Sequence, residues 1–288
     1  MPAPGPVSVA APTGLLLRPG VPVLRRDANT IQVGLHPPLA VRLPDRPEVR
    51  SLLDALQARA PLAALAPVAE RALDALLAAG LVFPGLDEPG RRGLAAARAQ
   101  FGVDGSRRVS ARAAHAVGLL GDPRMHATLA PLALEAGLLL DQDSPAVWVV
   151  VGCGQLSREG IDGLVRSGAP HLVVSGGASG RRIGPFVEPG RTACLRCVDA
   201  HESEPDPRRS FLVEQAARTT GTDVPVDPVL DQLALAWAVR DVCRYVEGEE
   251  PSTWSATVDL GPTDAPEVRR WLRHPHCGCA WDLLLDLP

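Results

Sequence analysis

Gly184-Pro185-Phe186-Val187-Glu188-Pro189-Gly190-Arg191-Thr192-Ala193-Cys194-Leu195-Arg196-Cys197 decides how the rest of the chain is read. It carries a Cys-x-x-Cys pair entered from the Pro189-Gly190 turn. A second pair, Cys277-Gly278-Cys279, is entered from His274-Pro275-His276 near the other end. Two close cysteine pairs separated by a long insertion are the sequence form of a structural zinc site with four thiolate ligands. Each pair makes a knuckle that gives two sulfurs to one tetrahedral ion, so Cys194, Cys197, Cys277 and Cys279 are the expected ligands. Such a shell is full and leaves no position for a substrate, so the zinc is expected to be structural. The alternatives are two disulfides, free buried thiols, or His274 or His276 in place of one thiolate.

Compartment bears on that choice. The opening Met1-Pro2-Ala3-Pro4-Gly5-Pro6 has no basic segment, and Leu15 to Leu17 is too short for the apolar core of a signal peptide. A reducing cytoplasm is therefore expected, where paired cysteines are metal ligands more often than disulfides. No apolar run reaches the ~20 residues of a membrane-spanning helix, so no membrane partner is expected. The 288 residues allow one large or two ordinary domains, and 46% apolar content can fill a core. Aromatic residues are only 3%, so Leu, Val and Ala fill it. A net charge of −4 gives no general attraction to nucleic acid. All 29 basic residues are arginine; there is no lysine. Cys153 and Cys243 lie in apolar surroundings and read as inert core thiols.

Residues 1–15, rich in Pro, Gly and Ala, are expected to be disordered. Short strands follow at Pro22–Arg26, Thr30–Leu35 and Leu39–Leu43, punctuated by Asp27-Ala28-Asn29 and His36-Pro37-Pro38. Helices are expected over Pro47–Ala58, briefly over Leu62–Ala66, and over Val68–Ala79, the last stopped by Gly80. A small sheet followed by three helices is a winged-helix-like pattern, assigned to residues 16–84. It is used either to read DNA or to add a peptide strand to the sheet edge beside the last helix. That helix offers only Glu70, Arg71 and Asp74 as polar groups, a poor surface for phosphates, so peptide capture is favoured. A structural cap with no ligand is the bland alternative.

Residues 85–109 read as a charged linker that includes a helix at Arg91–Phe101. From 110 to 288 strands and helices alternate. Strands are expected at Ala114–Leu120, Ala146–Val151, His171–Val174 and Ser255–Leu260, and helices at His126–Ala136, Ser157–Val165 and Val268–Leu272. Asp227 as N-cap and Pro228 at the first helical position open a long buried helix running to about Val246.

This order, with Ile183 to His201 and the His274-Pro275-His276-Cys277-Gly278-Cys279 run, resembles the C-terminal half of the ThiF/MoeB adenylyltransferases. More specifically it resembles the ThiF-like leader-peptide-binding proteins of thiazole/oxazole-modified peptide biosynthesis, the cyclodehydratase C type. The resemblance covers most of the chain. It implies an N-terminal winged-helix-like peptide-recognition domain followed by a shortened ThiF-like, Rossmann-type α/β domain with a four-cysteine zinc site. It also implies a homodimer through the sheet domain, a precursor-peptide leader as ligand and a YcaO-type cyclodehydratase as the partner that performs the ATP-dependent chemistry.

Active members of the superfamily hold ATP with a Gly-x-Gly-x-x-Gly loop, an acid at the end of the second strand, a lysine and arginines. Here Gly118-Leu119-Leu120-Gly121-Asp122-Pro123-Arg124 lacks the glycine spacing, and Gly152-Cys153-Gly154-Gln155-Leu156-Ser157-Arg158 lacks the third glycine. No lysine is available for the phosphates. Ser175, His171 and Asp199 have no triad spacing, and Cys153 is the one nucleophile to consider. The expectation is a non-catalytic scaffold that binds no ATP and captures a leader by strand addition to Ala40, Val41, Arg42 and Leu43. Leader side chains would pack against Leu73, Leu76 and Leu77, with Arg42 and Arg71 pairing leader acids. The alternatives are an active adenylyltransferase acting on a peptide or sulfur-carrier C-terminus and, more remotely, a winged-helix transcription factor.

Overall fold

The computed structural model describes residues 14–62, 64–85, 93–219, 224–225 and 227–279. Most of the stretch expected to be disordered therefore lies outside the described residues. The chain divides into two compact units, Met1–Val109 and Ser110–Pro288.

In the first unit, β1 (Leu15–Leu17) pairs antiparallel with β5 (Val82–Pro84). Strands β2 (Val23–Arg25), β3 (Thr30–Val33) and β4 (Val41–Pro44) form an antiparallel three-stranded sheet in that order. Two helices follow, α1 (Pro47–Ala58) and α2 (Pro67–Ala78), each with Pro at its start, where the missing N–H costs nothing. The spacing of Val49, Leu52, Leu53 and Leu56 puts one α1 face into a core shared with Ile31, Val33, Leu43, Ala69, Ala72 and Leu76. The short helix expected at Leu62–Ala66 does not form at its described positions: Pro67 starts the next helix, and the residue before a proline is held extended.

The helix expected within residues 85–109 forms, and the stretch after it is helical as well. Residues 86–92 lie outside the described residues; the rest forms α3 (Leu94–Phe101), a 3-10 turn (Gly102–Asp104) and α4 (Gly105–Ala114). Leu94, Ala97 and Val109 bury together. The buried Arg18 guanidinium donates to the carbonyls of Ala99 (2.9 Å) and Gln100 (2.6 Å), placing a cation on the open carbonyls that end α3.

The second unit is built on β6 (Ala116–Gly121), α5 (Pro123–Glu135), β7 (Leu139–Leu140), β8 (Val147–Val151), α6 (Arg158–Arg166), β9 (His171–Gly177) and β10 (Gly180–Val187). Helices α7 (Leu195–Ser203), α8 (Arg209–Thr219) and α9 (Pro228–Val246) follow, then β11 (Ala256–Leu260) and β12 (Glu267–Arg270). They make one seven-stranded mixed sheet in the order β12-β11-β10-β9-β8-β6-β7. Strands β7, β6, β8 and β9 run parallel and the remainder antiparallel. α5 and α9 cover one face, packing Met125, Leu129, Ala238 and Val242 on Val149, Leu172 and Phe186. Ile161 of α6 and Leu195 of α7 pack on Val150 and Val173.

The sheet is fuller than the shortened domain implied by the resemblance, because β10 folds straight back on β9. Gly184 makes this strand workable: its φ is +96°, and a Cβ there would lie 2.3 Å from the Ala256 carbonyl oxygen. The helix expected at Val268–Leu272 is instead strand β12, with every residue exposed.

Candidate metal centre and peptide-binding edge

The Glu188–Thr192 turn delivers the first knuckle. The Thr192 hydroxyl accepts the Glu188 N–H at 2.8 Å, and the Ala193 N–H donates to Ser255 Oγ at 2.9 Å. Cys194 is then the N-cap of α7 and Cys197 lies in its first turn, where the helix N-terminus favours thiolate. Trp271 Nε1 donates to Thr257 Oγ1 at 3.0 Å, anchoring the segment that leads to Cys277. The Cys194 sulfur lies 3.7 Å from Cys197, 3.6 Å from Cys277 and 3.4 Å from Cys279, and Cys197 lies 3.3 Å from Cys279. Zn–S bonds of about 2.3 Å place tetrahedral sulfurs about 3.8 Å apart, so these separations fit zinc and are far too long for disulfides, about 2.05 Å. Hydrogen bonding to Cys194, then to Cys279, pulls the Cys277 thiol down to about 7, while hydrogen bonding to Cys197 first, then to Cys277 and Cys279, pushes Cys194 up. The four sulfurs thus form a set compatible with a metal ion. His274 and His276 are not part of it.

At the sheet's carboxyl end the Asp122 carboxylate caps α5, accepting the Arg124 N–H at 2.8 Å. The Arg124 guanidinium beside it holds its carboxyl well below the usual range. A carboxylate therefore occupies the helix N-terminus where a nucleotide fold seats phosphate. Cys153 is half-buried, and burial together with Asp122 pushes its thiol pKa up, keeping it protonated. Asp199 is committed to Arg158 in a two-pronged ion pair, 2.7 and 2.8 Å, and His171 is fully buried. No triad is assembled from them. Beside this pair opens a polar cavity of about 370 Å³, lined by Ser175, Arg181, Arg182, Glu202 and Asp259 among others, which the sequence reading missed.

In the first unit β4 pairs with β3 alone, leaving its outer edge without a strand partner among the described residues. Ala40 and Val41 are half-buried, Arg42 is exposed and Leu43 is buried. On α2, Leu73 is half-buried and Leu77 is 40% exposed. Leu76 is fully buried, which corrects its expected place as a ligand contact: it holds α2 to the sheet from behind. Arg42 and Arg71 are exposed and have no ion-pair partner among the described residues. The opposite edge, β2, borders a second cleft of about 280 Å³ lined by Leu24, Ile31, Asp45 and Arg50. Among the described residues no helix is long and apolar enough to cross a membrane.

Fold and site together define a two-unit α/β protein with a four-cysteine centre stapled to its larger sheet. No protein-family model matches the chain, and no curated protein sequence matches it. Solved structures do. It is similar to the heterocyclase TruD with a TM-score of 0.72 at 17% identity, over 93% of this chain and 42% of that one. A heterocyclase in complex with substrate and cofactor matches with a TM-score of 0.68 at 17% identity, over 92% of this chain and 39% of that one. E. coli MccB with MccA-N7isoAsn matches with a TM-score of 0.63 at 11% identity, over 92% of this chain and 99% of that one. The chain thus spans well under half of the heterocyclases and nearly all of MccB; the likeness is one of fold.

Proposed function

We propose that this protein is a leader-peptide-binding scaffold in the biosynthesis of a ribosomally made, modified peptide. The observations that carry it are the unpaired edge of β4, the contact of α2 with that strand, and the part-exposed Leu73 and Leu77 on α2. An extended leader adds there as a fourth strand, ladder bonds supplying affinity and the apolar groove selectivity, as in a winged-helix-like recognition domain. Arg42 and Arg71 stand ready for leader acids. The fold shared with MccB, solved with an MccA derivative, and with a heterocyclase solved with its substrate supports a peptide ligand.

The second unit presents the captured peptide to a YcaO-type cyclodehydratase, working as a homodimer in the cytoplasm. Asp122 in the phosphate position and the absence of lysine support a ThiF-like unit without catalysis of its own. Cys194, Cys197, Cys277 and Cys279 would hold a zinc ion, which ties the entry to α7 to the chain's far end. Titrating a labelled leader from a short Cys/Ser/Thr-rich precursor encoded beside this gene into the full chain tests the reading: saturable binding is expected.

A second reading, an adenylyltransferase acting on a peptide C-terminus, is favoured by one observation, the polar cavity at the carboxyl end of β9. ATP–pyrophosphate exchange separates the two.

A further inference from the structure

The end of α7 and the segment leaving β12 also meet at a second cluster, His201, Glu204 and His274, distinct from the four cysteines. His201 Nδ1 lies 3.3 Å from a Glu204 carboxylate oxygen, and His274 Nε2 lies 3.7 Å from that same oxygen. All three donor atoms fall within 4.8 Å of one another. Metal–nitrogen and metal–oxygen bonds of about 2.0–2.2 Å set tetrahedral donors about 3.4 Å apart, so the 3.3 and 3.7 Å histidine–carboxylate separations suit zinc.

Hydrogen bonding makes the stronger case. His201 Nε2 faces the Leu272 carbonyl oxygen at 3.0 Å, so that nitrogen must carry the ring's proton. Its Nδ1 then turns a lone pair toward the Glu204 carboxylate, and two lone pairs meet unless a cation lies between them. A metal-ligating histidine is oriented in this way, its other N–H given to a backbone carbonyl. A second proton on His201, with the His274 Nε2–H turned to the same carboxylate, would also relieve the contact, and zinc counting separates the two; the His274 ring lies edge-on to His201 with centroids 4.8 Å apart. The ring of His201 is further steadied against Trp271, 6.1 Å away.

We infer that His201, Glu204 and His274 form a second zinc site with a position left open to water, fastening the end of α7 to the segment before Cys277. One feature sets its strength: His274 Nδ1 accepts the His276 N–H at 3.2 Å, a bond surrendered when Nε2 binds metal. The site is therefore weaker than the four-thiolate centre and fills second. It does not depend on the peptide reading.

The test is zinc counting on the full chain equilibrated with zinc(II) and gel-filtered, alongside Glu204→Ala, an exposed position, and His274→Ala. Wild type is expected to hold two zinc ions and each variant one, the second ion weakened at least tenfold. Cobalt substitution should keep the thiolate charge-transfer band in both variants, showing that the four-cysteine centre survives. Wild-type Tm should rise between one and two equivalents of zinc, and the Glu204→Ala Tm should not. A single ion in wild type, or as many ions in the variants as in wild type, overturns the assignment.

Discussion

The sulfurs of Cys194 and Cys279 lie 3.4 Å apart although 85 residues separate them in the chain. A contact of that span is held only if something offsets the entropy of closing so long a loop, and a zinc ion shared by the four thiolates would do so. Cys277→Ser is therefore expected to lose the tightly held zinc and several kcal/mol of stability, about 10 °C or more in Tm. Calorimetry with zinc determination on the same sample checks this; an unchanged Tm would remove the metal from the account.

Arg158 and Asp199 join the start of α6 to α7 through two hydrogen bonds of 2.7 and 2.8 Å, both side chains nearly buried. Removing one partner leaves the other charge without compensation, which costs about 3–5 kcal/mol. Asp199→Ala is expected to fall in that range by urea denaturation. Adding Arg158→Ala should recover part of the loss, and strict additivity would show the pair to be uncoupled.

Asp241 on α9 is fully buried, and its carboxylate accepts the N–H groups and hydroxyls of both Ser252 and Thr253 at 2.7–3.0 Å. It fixes the loop that leads into β11. Asp241→Ala orphans four donors, and a loss of about 3 kcal/mol is expected. Asp241→Asn, which keeps one acceptor oxygen, should cost less.

Glu202 offers a pH test. Burial raises its pKa, but Arg182 and Arg209 outweigh burial and hold it below the ordinary 4.5. A depressed carboxyl contributes stability that is present above its unfolded pKa and lost as pH falls through the folded one. The stability difference between wild type and Glu202→Gln is expected to be largest near neutrality and to close as pH drops below 4.5. A gap that widens in acid would reverse the assignment.

Much of the sheet was legible because its signals are local. The Val147–Val151 run, the Asp227-Pro228 cap of α9 and the two cysteine pairs each state their role within a few residues. The Asp227 side chain does accept the Val229 N–H, at 2.7 Å. β10 was missed because Gly180, Arg181, Arg182, Gly184 and Pro185 interrupt any period-two pattern. Its arginines are placed by Asp231 and Asp259, far along the chain. β12 has no buried face, so nothing in its residues announces a strand; only pairing with β11 makes it one. The Leu76 assignment failed for a related reason. Leu73, Leu76 and Leu77 share one side of a helical wheel, but tertiary packing turns Leu76 inward and leaves Leu77 at the surface.

Capture of a leader at the β4 edge is tested most directly by fluorescence anisotropy of a labelled leader peptide titrated into the full chain. Parallel titrations use Leu77→Asp, which changes an exposed side chain, and Leu24→Asp on the β2 side. Saturable low-micromolar binding is expected for wild type and Leu24→Asp, with at least a tenfold loss in Leu77→Asp. Absence of wild-type binding at high micromolar concentration, or a loss confined to Leu24→Asp, would contradict it.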